Sequence, residues 1–305
     1  MTKISHKYSP INIDSLWGST FDVKLKNTDL VTDYDVVVTP GTLDGGSSPA
    51  YTYTYLNPIV SNVKVEADND TFVSADVPQL NELRYIIRNI KGLSGASFKI
   101  PMCMADFSKK SYIKETAFPS YAFVNNTMHV TLPPLSQITS GSPTGTTGST
   151  LYLTERDIPR QQVDFKLFRY KMLKITSDLS LTGDNDLTNY LATDSFYQAM
   201  LHFSATSQTA PMYSANGSNS LINYMDLIIN NSTYLFEDFF ATMRSDNQNN
   251  FGIEPDTGFA LQEFMSGDNP TDMLNISSSV VNKNVNLKVN TSASGYLSTL
   301  KMVVF

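Results

Sequence analysis

One cysteine and three histidines are all that this 305-residue chain offers to disulfide, zinc or imidazole chemistry. The lone Cys103, set in KIPMCMADF, excludes an internal disulfide framework, and its apolar neighbours point to a buried, inert thiol. No two of His6, His129 and His202 fall within one helical turn, which argues against a local zinc motif and a His-based triad. P-loop, G-x-S-x-G and G-x-G-x-x-G patterns are all missing, so no enzymatic activity is expected. Nowhere do some eighteen apolar residues run together, and the opening MTKISHKYSPINID has no apolar core; neither a membrane-spanning helix nor a secretory signal is expected. Charge is scarce as well, at 17% of residues, and the balance is −7. Residues 1–157 carry 13 basic against 15 acidic side chains and residues 158–305 carry 9 against 14, so no cationic cluster exists to release counterions from a phosphate backbone. Nucleic acid is therefore not expected as a direct partner.

What the chain has in quantity is short segments of strict alternation, the mark of half-buried antiparallel strands. TFDVKLK sets Phe21, Val23 and Leu25 against Asp22, Lys24 and Lys26; AYTYTYL sets Tyr51, Tyr53 and Tyr55 against threonines; NVKVEA, MHVTL, LYLTE, NVNLKVN and YLSTLKMVVF follow the same rule. Turn-rich stretches such as TPGTLDGGSSPA separate them, so the pattern predicts sandwiches or barrels rather than βαβ units. One helix stands out: Asp76 and Gln79 form a capping box, Leu80, Leu83, Ile87 and Ile90 an apolar stripe, and Gly92 a stop. SLINYMDLIIN, with Ile222, Met225 and Ile229 at similar spacing, is a second candidate helix, with a strand as the alternative.

The two halves echo each other. FDVKLK at 21–26 and VDFKLF at 163–168 share Asp, Lys and Leu, and the same offset of 142 carries Leu80, Leu83 and Ile87 onto Ile222, Met225 and Ile229. On that registration the low-complexity run TSGSPTGTTGST, residues 139–150, joins the last two strands of the first half rather than tethering two domains, and ERDIPRQQ at 155–162 is the joint. The expected layout is an N-terminal arm over 1–19 and two β-domains over 20–157 and 158–305.

Candidate chemistry is thin. Asp256-Thr257-Gly258 matches an aspartic-protease triplet, but it follows Ile-Glu-Pro and has no second copy, so it reads as a turn. Asp184 and Asp186 in TGDNDLT are candidate ligands for a structural Ca²⁺, although no EF-hand pattern is completed. His129 reads as a solvent-facing strand residue. Tyr51, Tyr53 and Tyr55 offer a flat aromatic face for a sugar or for cross-strand packing, and LFEDFFATM at 235–243 is a second aromatic concentration suited to packing against a neighbour.

Two similar β-rich halves, each read with one inserted helix, joined by a short polar crossover and lacking chemistry: this plan resembles the double jelly-roll major capsid proteins, a family that includes the shells of adenovirus and of tailless bacteriophages with an internal membrane. The resemblance implies an all-β fold of two tandem eight-stranded jelly-roll sandwiches, homotrimers that tile an icosahedral shell, contacts with neighbouring trimers and with minor capsid and vertex proteins, and an internal viral membrane beneath. It also implies that Lys3, His6 and Lys7 are membrane-proximal and that the protein resides in the virion after assembly in the host cytoplasm. The competing reading is a two-domain β-sandwich that binds carbohydrate or a receptor, using the Tyr51, Tyr53, Tyr55 face or a Ca²⁺ loop at Asp184 and Asp186.

Overall fold

The computed structural model describes residues 4–27, 29–90, 94–103, 116–159, 170–191, 195–229, 233–264, 273–276 and 285–304. The chain divides into two compact units, residues 1–84 with 90–172 and residues 85–89 with 173–305.

The first unit contains β1 (Ile4–Lys7), β2 (Ile11–Asn12), β3 (Thr20–Lys24), β4 (Leu30–Thr39), β5 (Thr42–Asp44), β6 (Ala50–Tyr51), β7 (Asn62–Ala67), β8 (Asp70–Asp76), β9 (Ser97–Pro101), β10 (Phe118–Pro119), β11 (Asn126–Thr131), β12 (Thr139–Ser140), β13 (Gly145–Thr147) and β14 (Thr150–Ile158). Helix α1 (Val77–Arg88) follows β8, and a single helical turn, α2 (Leu135–Ile138), precedes β12. One sheet runs β1/β2, β14, β4, β9/β10; the other runs β3, β11, β7, β8. Counting β1/β2 as one strand position and β9/β10 as another, and setting aside the ribbons β6–β12 and β5–β13, the eight positions lie in the orders 1-8-3-6 and 2-7-4-5, all antiparallel.

The second unit repeats this order. Its strands are β15 (Tyr170–Leu179, entering from the first unit's end), β16 (Gly183–Leu191), β17 (Phe196–Ala205), β18 (Ile222–Ile229), β19 (Thr233–Phe239), β20 (Phe259–Glu263), β21 (Leu274–Asn275), β22 (Val285–Thr291) and β23 (Gly295–Val304). Helix α3 (Met212–Ala215) lies between β17 and β18, and α4 (Phe240–Phe251) between β19 and β20. The sheets run β15, β23, β17, β20 and β16, β22, β18, β19, with short β21 added beside β17; these are again 1-8-3-6 and 2-7-4-5. Two tandem eight-stranded jelly rolls account for the described residues, as the resemblance implied.

Alternation drives each sandwich. In the first unit Val23, Val63, Val65, Met128 and Val130 of one sheet and Val36, Val38, Leu151 and Leu153 of the other are buried; in the second, Met225, Leu227, Val285, Leu287 and Val289 meet Met200 and Leu297. Each such side chain contributes roughly 1.5–3 kcal/mol on burial. Helix α4 covers the exposed edge of β20: the Asn247 amide donates to the Leu261 carbonyl at 2.6 Å and accepts from its N–H at 2.8 Å, satisfying groups an edge strand leaves open.

Five sequence expectations are corrected. Residues 4–12, expected in an arm, form the first strand of the first jelly roll, with Ile4 opposite Asp157 and Lys7 opposite Thr154. Within SLINYMDLIIN, Ile222–Ile229 is strand β18, paired on both sides with β19 and β22, because its isoleucines and consecutive buried residues Met225, Asp226 and Leu227 suit a central strand. The true counterpart of α1 is α4; α1 and α4, β3 and β16, and β8 and β19 each begin 163 residues apart, while the last strands, β14 at 150 and β23 at 295, begin 145 apart, so no single offset of 142 relates the two halves. VDFKLF lies outside the described residues. ERDI of the expected joint belongs to β14, which runs to Ile158. Helix α1 does carry half of its capping box, Asp76 N–H donating to Gln79 Oε1 at 3.4 Å, but Ile86 replaces Ile87 and Ile90 in the buried stripe; Asn89, at φ +52°, follows its last turn, and Gly92 lies outside the described residues.

Candidate assembly surface

Antiparallel alternation sends the connections 1→2, 3→4, 5→6 and 7→8 of a jelly roll to one end. In the first unit these are residues 13–19, 40–61, 77–96 (helix α1 and the residues after it) and 132–149; at the other end Asp68 and Asn69, both at positive φ, turn β7 into β8. The long connections interlock. β6 pairs with β12 through Tyr51 and Thr139, and β5 with β13 through Leu43 and Thr146. TSGSPTGTTGST is thus an intradomain connection between the seventh and eighth strands. Trp17 Nε1 donates to Thr146 Oγ1 at 2.8 Å, and that hydroxyl donates to Asp14 at 2.8 Å. Gly148 and Ser149 N–H groups donate to the same carboxylate at 2.9 and 2.8 Å. Partial desolvation pushes the Asp14 carboxyl up, but Ser149, Thr146, Gly148 and Asn12 together outweigh it and hold Asp14 well below the usual carboxylate range.

The equivalent end of the second unit is built from residues 180–182, 206–221, 252–258 and 292–294. Phe203, Tyr213 and Phe259 stack at its base, with centroid separations of 4.5 Å and 4.6 Å from Phe203. Asp256-Thr257-Gly258 is a turn here: Phe259 N–H donates to the Asp256 carbonyl at 3.0 Å, Gly258 sits at φ +86° and its N–H donates to Asn219 Oδ1 at 2.7 Å. Arg244 fastens that turn by donating to the Asp256 carbonyl at 2.8 Å.

The remaining candidates are dispersed. Asp184 and Asp186 lie on strand β16, not in a loop, and Asp184 is engaged by Lys288 Nζ at 2.7 Å, by the Asn290 amide at 2.6 Å and by Tyr224 Oη at 3.1 Å. The Asn290 bond and the Lys288 ammonium hold its carboxyl below the ordinary range. Lys3 lies outside the described residues; Lys7 is exposed; His6 turns to Asp157, 3.2 Å away. Tyr51 and Tyr53 rings are tilted by 58°, only Ala50–Tyr51 is strand, and Tyr51 Oη donates to the Gly41 carbonyl, so the three tyrosines do not make a flat face. His129 is not free on a strand surface: Asp22 stands 2.6 Å from one ring nitrogen and Glu66 2.9 Å from the other. Cys103 is buried as expected. His202, which sequence reasoning left unassigned, is fully buried beside Thr299 and Gln262, and burial pushes its pKa down to about 4.

Apolar groups are presented on outer sheet faces instead. Val37 and Tyr152 are cross-strand partners on β4 and β14, each more than two-fifths exposed, and Phe239, 60% exposed, meets Tyr224 edge-on at 6.3 Å. Such patches suit contact with neighbouring subunits. Among the described residues no helix is long and apolar enough to cross a membrane.

No family model matches the chain, and no curated protein matches it in sequence. Solved structures do match over nearly its full length. The major capsid protein P2 from bacteriophage PM2 superposes with a TM-score of 0.69 at 9% identity, covering 99% of this chain and 97% of P2. A chain from the atomic structure of Sulfolobus turreted icosahedral virus reaches 0.71 at 12% identity, covering 99% and 90%. A chain of the PBCV-1 virus capsid reaches 0.64 at 14%, covering 99% and 93%. At these identities what is shared is the fold.

Proposed function

We propose that this chain is the major capsid protein of a membrane-containing icosahedral virus. The observation that carries the reading is the strand order 1-8-3-6 and 2-7-4-5 occurring twice in tandem, in a fold that superposes over nearly the whole chain on capsid proteins of three viruses. Two barrels per subunit give six per homotrimer, a near-hexagonal tile generated from threefold symmetry. Neighbouring trimers, minor capsid proteins and vertex proteins complete the set of partners, and the virion shell is the place of residence, reached by assembly in the host cytoplasm. Acidic balance fits a shell separated from its genome by a bilayer, with Lys3 and Lys7 left to meet anionic headgroups. Within this class we read the chain as nearest to the capsid protein of the Flavobacterium-infecting lipid-containing phage, on the plan of the whole chain. The carbohydrate-binding alternative loses its motivation because the tyrosines form no platform and Asp184 pairs with Lys288.

Negative-stain imaging of the purified protein tests this reading. Hexagonal outlines with threefold averages are expected; isolated two-lobed monomers that bind a glycan array support the alternative.

A further inference from the structure

The inner face of β14 begins with apolar residues and ends with acids. Leu151 and Leu153 are buried, and so, at the next inward positions, are Glu155 and Asp157, both 0% exposed. β1 lies alongside with His6 opposite Glu155, and β4 lies on the other side with buried Tyr34 opposite the same residue. Glu155 is partly provided for, since Tyr8 Oη donates to one of its oxygens. Asp157 is not: neither of its buried carboxylate oxygens receives a donor, the side chain beside it is the Glu155 carboxyl, and His6 Nε2, 3.2 Å away, is buried without hydrogen-bond alignment. A buried carboxylate in this condition lacks several kcal/mol of compensation.

A third ligand-bearing side chain closes the group. Asp29 leads into β4, and one donor atom each of His6, Asp29 and Asp157 lie within 4.8 Å of one another. Around a tetrahedral metal, ligand atoms stand about 3.4 Å apart, a separation these side chains reach by small rotations. One imidazole and two carboxylates are a mixed nitrogen and oxygen set, which suits a borderline cation such as Zn²⁺ better than Ca²⁺, whose sites are built from six to eight oxygens.

We propose that His6, Asp29 and Asp157 form a Zn²⁺-class divalent cation site that staples the first strand of the first jelly roll to its last. The three ligands come from β1, the lead into β4 and the end of β14, so one ion ties the N-terminal segment to a position some 150 residues away. The ion supplies the missing counter-charge and stabilises only the folded state. The site is independent of assembly.

Calorimetric titration of the full chain, stripped with EDTA, with Zn²⁺ and separately with Ca²⁺ tests this, alongside thermal melts. One Zn²⁺ per chain with a raised Tm is expected, with little response to Ca²⁺. Asp157→Asn and His6→Ala each should lower Zn²⁺ affinity about tenfold or more and abolish the Tm rise, while Asp184→Asn retains both. Asp157→Asn removes an uncompensated charge and should fold without metal; if it does not, the variant at His6, whose side chain is only partly buried, decides. Absence of Zn²⁺ binding, binding unaffected by the His6 and Asp157 variants, or a preference for Ca²⁺ overturns the assignment.

Discussion

A Cβ placed on Gly46 would meet the Gly141 carbonyl oxygen at 2.2 Å, so these two glycines let the 3→4 and 7→8 connections of the first jelly roll press backbone against backbone. Both sit in the left-handed region, at φ +76° and +75°. Gly46→Ala and Gly141→Ala should each destabilise the first unit by at least about 1–2 kcal/mol from φ alone, with the clash added. Gly148, at φ +86° with open space around it, is the control: Gly148→Ala should cost only the backbone part. Chemical denaturation curves for the three variants check the ranking.

Cleavage within TSGSPTGTTGST should not separate the two jelly rolls. The segment leaves β11 and returns as β14, which is held between β1 and β4 inside one sheet. A protein nicked near Ser142 is expected to run as one species on a native gel and as two on a denaturing gel. Release of two separately folded pieces would restore the tether reading.

Asp14 holds residues 146–149 with an ionised carboxylate whose folded pKa is depressed. Its contribution is present above the ordinary carboxylate range and is lost as pH falls below it. Asp14→Ala at neutral pH should therefore speed limited proteolysis within 139–150, severalfold, while far-ultraviolet circular dichroism stays unchanged.

His202 is buried neutral, with its pKa lowered to about 4. The unfolded chain takes up a proton near pH 6.5 and the folded one only near 4, so stability from this group is full above 6.5 and falls as pH drops through that window, by up to about 3 kcal/mol. His202→Gln should flatten the difference: urea midpoints of the variant should depend less on pH between 6.5 and 4 than those of the parent.

Strand segments were legible in the sequence wherever one face is buried: NVKVEA and NVNLKVN fold as read because alternating Val and Leu admit only one register. The second helix was hidden because the buried face of α4 includes Arg244 and Asn247, whose hydrogen bonds to the 255–261 backbone replace an apolar stripe. β18 was ambiguous for the opposite reason, an apolar run too dense to show a period. The N-terminal strand was missed because ISHK is polar by composition; its partner residues, Glu155 and Asp157, are acids at core positions, which no periodicity marks as buried. Absence of enzyme motifs was read directly, whereas the interlocking of the long connections depends on contacts between residues about 100 apart, such as Leu43 with Thr146.

Solution mass tests the central claim most directly. Light scattering of the purified chain should give about 100 kDa, three times its 33.8 kDa, independent of dilution over a wide range. A stable 33.8 kDa monomer at all concentrations would contradict the account of this protein as a trimeric capsid tile.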